Sequence, residues 1–503
     1  VNSKIIAHLK PLENLNFKNR FIDLGGEYYQ AKNPVPAEDP YLVSFNAEGA
    51  ALIDLDPAES RRPEFVQYMS GNKPLPGAQP LAMAYSGFQF GVYNSQLGDG
   101  RGLLLGEVEN QKGEKWDIYL KGSGQTRFCR GFDGRATLRS SIREYLGQEA
   151  LAGLGIPTTR SLAIVGIREL IYRERPELPA VLVRLARSHI RFGNFDYFHY
   201  TNRPEKVAEL ADHVIQVHLP HLADQPEKYR LFFRFVIDRT AYLIASWQSA
   251  GFAHGVMNTD NMSILGDCFD YGPFGFMDRF KSGFVPNHSD IHGRYSYDRQ
   301  PEIGHWNLAK LGETLTSLIA PNILQEELEK YQVAFNGYNS QMTAQKLGLS
   351  LIDSEFMEVA GRLYEILAAH QPDYTNFFRN LGSHRKGSLP ELQKYFHQSP
   401  AHLKDWLTGY ERLLEREDIS PDEQQERMNR ANPKFILRNY LADKAIDQAI
   451  KNADFSEIER LLLILKNPFS DQPELFQKMK IDPDLYASDT PESFLDSQVS
   501  CSA

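Results

Sequence analysis

Cysteine is nearly absent: Cys129, Cys268 and Cys501 are the only three in 503 residues. An odd, sparse set builds no disulfide framework and suits a reducing compartment. Long apolar runs are also missing. The most apolar segment, Leu231 to Trp247, is interrupted by Arg234, Asp238 and Arg239, which excludes a simple membrane span. No basic run occurs, and 55 Lys and Arg against 65 Asp and Glu give a net charge of −10. Nothing therefore favours nucleic acid or a membrane surface as partner. The first residues, VNSKIIAHLKPLENLNF, lack a basic region followed by an apolar core, so no secretory signal is expected. A bacterial cytoplasmic location is the expectation, with the mitochondrial matrix as alternative. Internal repeats and low-complexity blocks are absent.

What is present suits a globular enzyme. Hydrophobic residues make up 42% and charged residues 24%, enough for a core, and the length allows two or three domains or one large two-lobed unit. The chain is organised around Gly251 to Asp278. Asp260-Asn261 is an acid–amide pair, and Asp270-Tyr271-Gly272 follows nine residues after Asn261. Met262 to Leu265 reads as a short strand and Gly266-Asp267 as a turn. A strand–turn–strand returns Asp270 to Asn261, so two carboxylates and an amide oxygen converge. Such a set suits a hard divalent cation that also binds phosphate oxygens. His254 and Asn261 keep the seven-residue spacing of the protein-kinase catalytic loop, and Asp270-Tyr271-Gly272 matches its D-F-G. Val256 stands where the kinase base would be and cannot take a proton.

Upstream, Tyr41 to Phe45 reads as a strand, Pro57 to Met69 as a short helix, and Phe88 to Tyr93 as a strand. Gly98-Asp99-Gly100-Arg101 is a glycine-containing turn between Phe88–Tyr93 and the strand Leu103 to Val108. Trp116 to Leu120 is a further strand ending at Lys121. Leu138 to Leu151 has helical spacing, with Leu138, Ile142, Tyr145 and Leu146 on one stripe and Thr137 as cap. Strands Ser161 to Val165 and Ala180 to Leu185 follow. This order is that of a kinase small lobe, where a strand Lys pairs with a helical Glu. Lys121 and Glu144 are the expected pair: a carboxylate behind the ammonium fixes it near a triphosphate. Arg184 and Arg191 are expected to reach phosphate oxygens as forked donors.

Downstream, 205–224 and 228–251 read as helices. Asn287 to Tyr295 is a polar loop, in which His288 and His292 are expected to cap or pack rather than bind metal. Pro301 to Leu318 and much of 322–452 are amphipathic helices. The expected divisions are 1–80, a wrap around the first lobe; 81–185, a β-rich lobe; 186–466, a helical lobe carrying the catalytic and metal loops; and 467–503, a mobile tail. The fold class is α+β, a protein-kinase-like two-lobed fold with a helical C-terminal extension.

Several ordered motifs together resemble the selenoprotein O family of kinase-like AMP-transferases. They include SGNKP at 70–74, YLKGSGQTRF at 119–128, DGRATLRSSIREYL at 133–146, RLARSHIRFGNF at 184–195, HGVMNTDNMSILG at 254–266 and DYGPFGFMD at 270–278. The family's GGHQFG is here Ser86-Gly87-Phe88-Gln89-Phe90-Gly91, so its His is absent, and Cys129 and Phe132 stand where Ser and Gly are usual. The resemblance implies a kinase fold that binds ATP reversed and transfers AMP to Ser, Thr or Tyr hydroxyls of proteins, releasing pyrophosphate. It implies Asp260 as catalytic base, and Asn261 and Asp270 as ligands of Mg²⁺ or Mn²⁺. It implies Gly98, Gly100, Arg101, Lys121, Asp133, Gly134, Arg184 and Arg191 as nucleotide contacts, with Glu144 behind Lys121. Asp260, beside a cation, is expected to keep a low pKa. A reversible Cys268–Cys501 disulfide gating the metal site is a further expectation. The competing readings are phosphoryl transfer and an inactive nucleotide-binding scaffold.

Overall fold

A computed structural model describes residues 9–383, 392, 394–396 and 400–495. Cys501, and with it the expected bridge to Cys268, lies outside the described residues. The fold is mixed, with a β-sheet region followed by many helices. The main sheet runs in the order Tyr29–Ala31, Leu81–Met83, Gly102–Glu109, Lys115–Lys121, Pro179–Ala186, Arg160–Gly166, Tyr41–Phe45, and Ala136–Thr137 also pairs with Pro179–Ala186. Every pairing in it is antiparallel among the described residues. Residues before position 80 thus supply both edge strands as well as packing.

Alternation along the strands sorts side chains between two faces. Ile118, Leu120, Val181, Val183 and Leu185 point to one face, where Leu12, Phe65 and Met69 cover them. Tyr119 and Leu182 point to the other, against Ile142, Tyr145 and Leu146 of the helix Leu138–Gly153. Lys121 follows Tyr119 by two residues, and Arg184 follows Leu182 by two. The register sets Leu182 opposite Lys121 and Arg184 opposite Tyr119. Both cations are therefore delivered to the helix side of the sheet, one diagonal apart. Thr137 caps the helix by accepting Ser140 N–H at 3.1 Å, and Glu144 lies on its buried side.

The helix Lys228–Ala250 ends at Gly251, whose φ of +66° closes the C-terminus. A Cβ there would lie 2.6 Å from the Tyr374 ring. The turn starts Phe252–Ala253, which pairs with Gly275–Phe276, and so frames the stretch between them. The helices Ser354–His370, Tyr374–Leu381 and Pro400–Glu415 form a second core around Leu363, Phe377, Trp406 and Tyr410.

Three expectations need correction. Phe88 to Tyr93 is not one strand but a hairpin, Gly87–Gln89 with Val92–Asn94, turning at Phe90 (φ +50°) and Gly91 (φ +82°). Met262 to Leu265 does not pair with the segment leading to Asp270. Ser263 bridges Arg191 and Cys268 bridges Thr158 instead, as isolated bridges, so segments distant in sequence hold the loop. Residues 467–495, expected as a mobile tail, are packed: Phe476 and Tyr486 are buried in the main core, and Thr490 Oγ1 donates to Asp278 Oδ1 at 2.5 Å.

His213 and His218 sit beneath the sheet, beside Asp117 and Leu81. Burial pushes their pKa values down to about 4 and about 3. Below pH 6.5 the unfolded chain then binds more protons than the folded one, so stability falls as pH falls. Going from pH 7 to 5 is expected to remove about 1–2 kcal/mol per histidine. Denaturant titration of His213→Gln and His218→Gln against the parent at the two pH values measures it: each variant should lose less on acidification.

Candidate active site

Lys121, Glu144, Arg184, Arg191 and Asp270 form one buried ionic cluster. Lys121 Nζ donates to Glu144 Oε2 at 2.6 Å and lies 3.5 Å from Asp270 Oδ1. Arg184 donates to Glu144 Oε1 at 2.5 Å through Nη2 and 3.0 Å through Nε, and its Nη2 also reaches Asp270 Oδ1 at 2.7 Å. Arg191 Nη1 donates to Asp270 Oδ2 at 2.5 Å and to the carbonyl of Asp260 at 2.8 Å. Gln148, one turn after Glu144, donates to its Oε1 at 3.1 Å. The guanidinium of Arg191 lies between the rings of Tyr85 (4.4 Å) and Phe269 (4.5 Å), which restricts its plane. Arg184 and Arg191 are only 1% and 2% exposed, whereas Asp270 is 21% exposed. The cluster is thus rigid at its back and open at its carboxylate.

Three cations face two carboxylates, leaving positive charge in excess. Arg101 adds to it: it is exposed, and its charge helps to lower the pKa of Lys121, for which burial is the main cause. Asp270 is held well below the usual carboxylate range: burial opposes this, but Arg191, Arg184 and Lys121 overcome it. Its backbone is left-handed, φ +58°, an unfavourable conformation for a non-glycine residue that the surrounding contacts must hold.

Asp260 and Asn261 lie on the single 3₁₀ turn Thr259–Asn261. Asn261 Nδ2 donates to the Val256 carbonyl at 2.9 Å, which fixes the amide. Asp260 Oδ1 is buried with no hydrogen-bond partner, and Gln89 Nε2 stands 3.5 Å from Oδ2. The low pKa expected of Asp260 depends on a neighbouring cation; the protein's own groups alone act in the opposite direction. Burial pushes it up to about 7, Arg191 lowers it by less, and Asp270 adds to the rise. The reason is geometric: Arg191 bonds the carbonyl of Asp260, not its carboxylate. Neighbouring Thr259 is locked from two sides, accepting Phe88 N–H at 2.9 Å and donating to Asp196 Oδ2 at 2.7 Å.

The glycines act through close backbone approach. A Cβ on Gly98 would lie 2.5 Å from the Phe128 ring, and one on Gly100 2.8 Å from the Phe128 carbonyl oxygen. The 98–101 turn therefore lies flat on the 126–129 segment, where Thr126 Oγ1 donates to the Asp99 carbonyl at 2.6 Å. Gly134, at φ +71°, would meet Gly124 at 2.2 Å. Asp133 goes elsewhere: Arg173 holds it with two bonds of 2.7 and 2.8 Å, and it caps Arg135 N–H at 2.9 Å. No hydrogen bond or ion pair joins Asp133 to the cluster among the described residues.

Asp99 was not singled out from sequence. Its buried carboxylate accepts Met83 N–H at 2.8 Å and Tyr119 O–H at 2.9 Å, pinning the glycine turn to the sheet. An acid between two glycines is the signal that could have marked it. Cys268 is buried and its thiol is pushed up by burial, the setting of an inert packed thiol. Among the described residues no three His, Cys, Asp or Glu side chains are grouped to hold a metal ion. No helix among them is long and apolar enough to cross a membrane.

A lysine and two arginines converge on a partly open carboxylate, beside a glycine turn and a second acid. The family model described as protein adenylyltransferase SelO matches residues 11–466. Protein nucleotidyltransferase YdiU of Myxococcus xanthus (strain DK1622) is 49% identical over 494 residues, 98% of this chain and 99% of that protein. Its namesakes in Stutzerimonas stutzeri (strain A1501) and Thioalkalivibrio sulfidiphilus (strain HL-EbGR7) are 45% and 46% identical, over 98% and 94% of this chain and 100% and 97% of theirs. The chain belongs to the SelO family of protein adenylyltransferases.

Proposed function

We propose that this chain transfers AMP from ATP to Ser, Thr or Tyr hydroxyls of proteins, releasing pyrophosphate, on a protein-kinase-like two-lobed frame in which ATP lies reversed. The observation that carries this reading is the Lys121–Glu144–Arg184–Arg191–Asp270 cluster, with Asp260 and its unbonded oxygen beside it.

The acceptor oxygen attacks the α-phosphorus; the new O–P bond forms as the α–β bridging bond breaks, and pyrophosphate leaves with its electron pair. Lys121, Arg184 and Arg191, with Arg101 at the rim, bind the β- and γ-phosphates and stabilise the charge that develops on them. Their fixed positions make this stabilisation preorganised. Glu144 keeps Lys121 and Arg184 oriented. Asp260 accepts the hydroxyl proton: its Oδ1 makes no hydrogen bond within the protein, and Val256 stands at the position of the kinase base. Asp133 supports the nucleotide loop through Arg173. Asn261 and Asp270 would hold Mg²⁺ or Mn²⁺, an assignment that fits the fixed Asn261 amide, the ionised Asp270 and the unbonded Asp260 oxygen nearby. When bound, the ion neutralises triphosphate charge. A cytoplasmic setting suits the buried Cys268 thiol.

Parallel reactions with α-labelled and γ-labelled ATP test the reading. Label on protein from the α position alone is expected. Label from γ alone would mean phosphoryl transfer, and none from either, under Mg²⁺ and Mn²⁺, an inactive scaffold.

A further inference from the structure

The loop 286–297 closes one side of the site and carries a guanidinium that the mechanism leaves unused. Asp290 pins the loop by accepting Arg294 N–H at 2.9 Å and Tyr295 N–H at 2.7 Å. Tyr295 O–H then donates to Asn258 Oδ1 at 2.7 Å and accepts Phe90 N–H at 2.9 Å. One tyrosine thus ties together the loop, the turn bearing Asp260 and the hairpin Gly87–Asn94. Arg294 itself stands over the Trp306 ring at 4.8 Å. Gly91, at the hairpin tip, makes room, since a Cβ there would be 3.3 Å from the Arg294 Cζ. The Arg294 Nε is buried without a hydrogen bond, and the neighbours recorded for this guanidinium are the Trp306 ring and the ring and hydroxyl of Tyr295 rather than a carboxylate.

A guanidinium stacked on an indole is already oriented, and its fork matches a carboxylate. Distance says where that carboxylate would come from. The far end of the same hairpin touches Asp260: a Cβ on Gly87 would lie 2.9 Å from Oδ1, and Gln89 approaches Oδ2. From Gln89 or Gly87 to Gly91 is two to four residues, a span of at most about 7–13 Å because the chain turns at Phe90 and Gly91. An acceptor segment lying along the hairpin covers the same distance with the same number of residues. Its apolar side chains would meet Phe90, Val92 and Ile291, of which Val92 is 71% and Ile291 81% exposed.

We propose that Arg294 selects the acceptor protein by pairing with an Asp or Glu two to four residues from the modified hydroxyl. This rests on Asp260 marking the acceptor position in the reading above. The test uses the full chain, α-labelled ATP and Mg²⁺, with peptides in which one hydroxyl residue is flanked at each of these positions by Glu or by Gln. At one position at least, the Glu peptide is expected to show a KM about tenfold lower at similar kcat. Arg294→Ala should erase that difference while the KM for ATP stays within about twofold, and Arg294→Glu should prefer the matching Lys peptide. Equal KM values for Glu and Gln at every position, or an Arg294→Ala variant that weakens ATP as much as peptide, would overturn the assignment and leave AMP transfer standing. A parent enzyme that labels no peptide and no protein would overturn both.

Discussion

Asp270→Asn is expected to lower AMP transfer by at least about 10³-fold, the largest effect of any single change in this site. The substitution keeps shape and removes the charge. In the parent, one carboxylate receives Arg184, Arg191 and Lys121 and faces the opening. Without it Arg184 still has Glu144, but among the described residues no other carboxylate pairs with Arg191. The arginine then loses its ionic anchor, and the proposed metal loses a charged ligand. Leaving a buried guanidinium unpaired is also expected to cost roughly 3–5 kcal/mol of stability. The two effects separate experimentally. Melting with and without excess ATP, in the absence of divalent metal, should show a larger ATP-dependent rise for the variant than for the parent, because phosphate replaces the missing anion. Activity should remain absent at temperatures where the variant is folded. A variant that transfers AMP at more than a tenth of the parental rate would remove Asp270 from the mechanism.

Glu144→Gln is expected to come next, with kcat/KM for ATP falling about 10²–10³-fold. Glu144 holds two cations on different strands, Lys121 through Oε2 and Arg184 through Oε1. It is 2% exposed, so no water replaces it. An amide can accept from one of them but offers its NH₂ to the other, turning an attraction into a clash of donors. Lys121 and Arg184 are then free to turn toward Asp270 and crowd the phosphate position. Steady-state kinetics across ATP concentrations separates loss of binding from loss of rate. An unchanged kcat/KM would mean that the pair is a structural ion bridge only.

The geometry behind both predictions was largely legible in the chain. Two-residue alternation places Lys121 with Tyr119 on one strand and Arg184 with Leu182 on the other, and the register between the strands then puts both cations on one face. Glu144 is different: at 100° per residue it falls on the far side of the helix from the stripe Leu138, Ile142, Tyr145 and Leu146, and only the kinase-like order of elements paired it with Lys121. What escaped was set by pairing between distant segments. Met262 to Leu265 has a strand's composition, yet Ser263 bonds to Arg191 and Cys268 to Thr158, partners 72 and 110 residues away that local pattern cannot reveal. Asp133 reads as a phosphate-loop acid, and only the hairpin that brings Arg173 beside it shows what it holds. The hairpin turn at Phe90 defies propensity, because a phenylalanine rarely takes a positive φ; its ring against Tyr295, 5.1 Å away, supports it there. Residues 467–495 looked like a tail because their anchors, Phe476 and Tyr486, are isolated apolar residues in a polar run.

The central claim is that the cluster around Asp270 is where the triphosphate binds. A crystal structure with a non-hydrolysable ATP analogue and Mn²⁺, with the metal located by its anomalous scattering, tests it most directly. The account predicts the ion bonded to Asp270 and Asn261, and Arg184, Arg191 and Lys121 on phosphate oxygens, with the α-phosphate nearest Asp260. A nucleotide bound elsewhere, with the Arg184–Asp270 and Arg191–Asp270 pairs undisturbed, would contradict it.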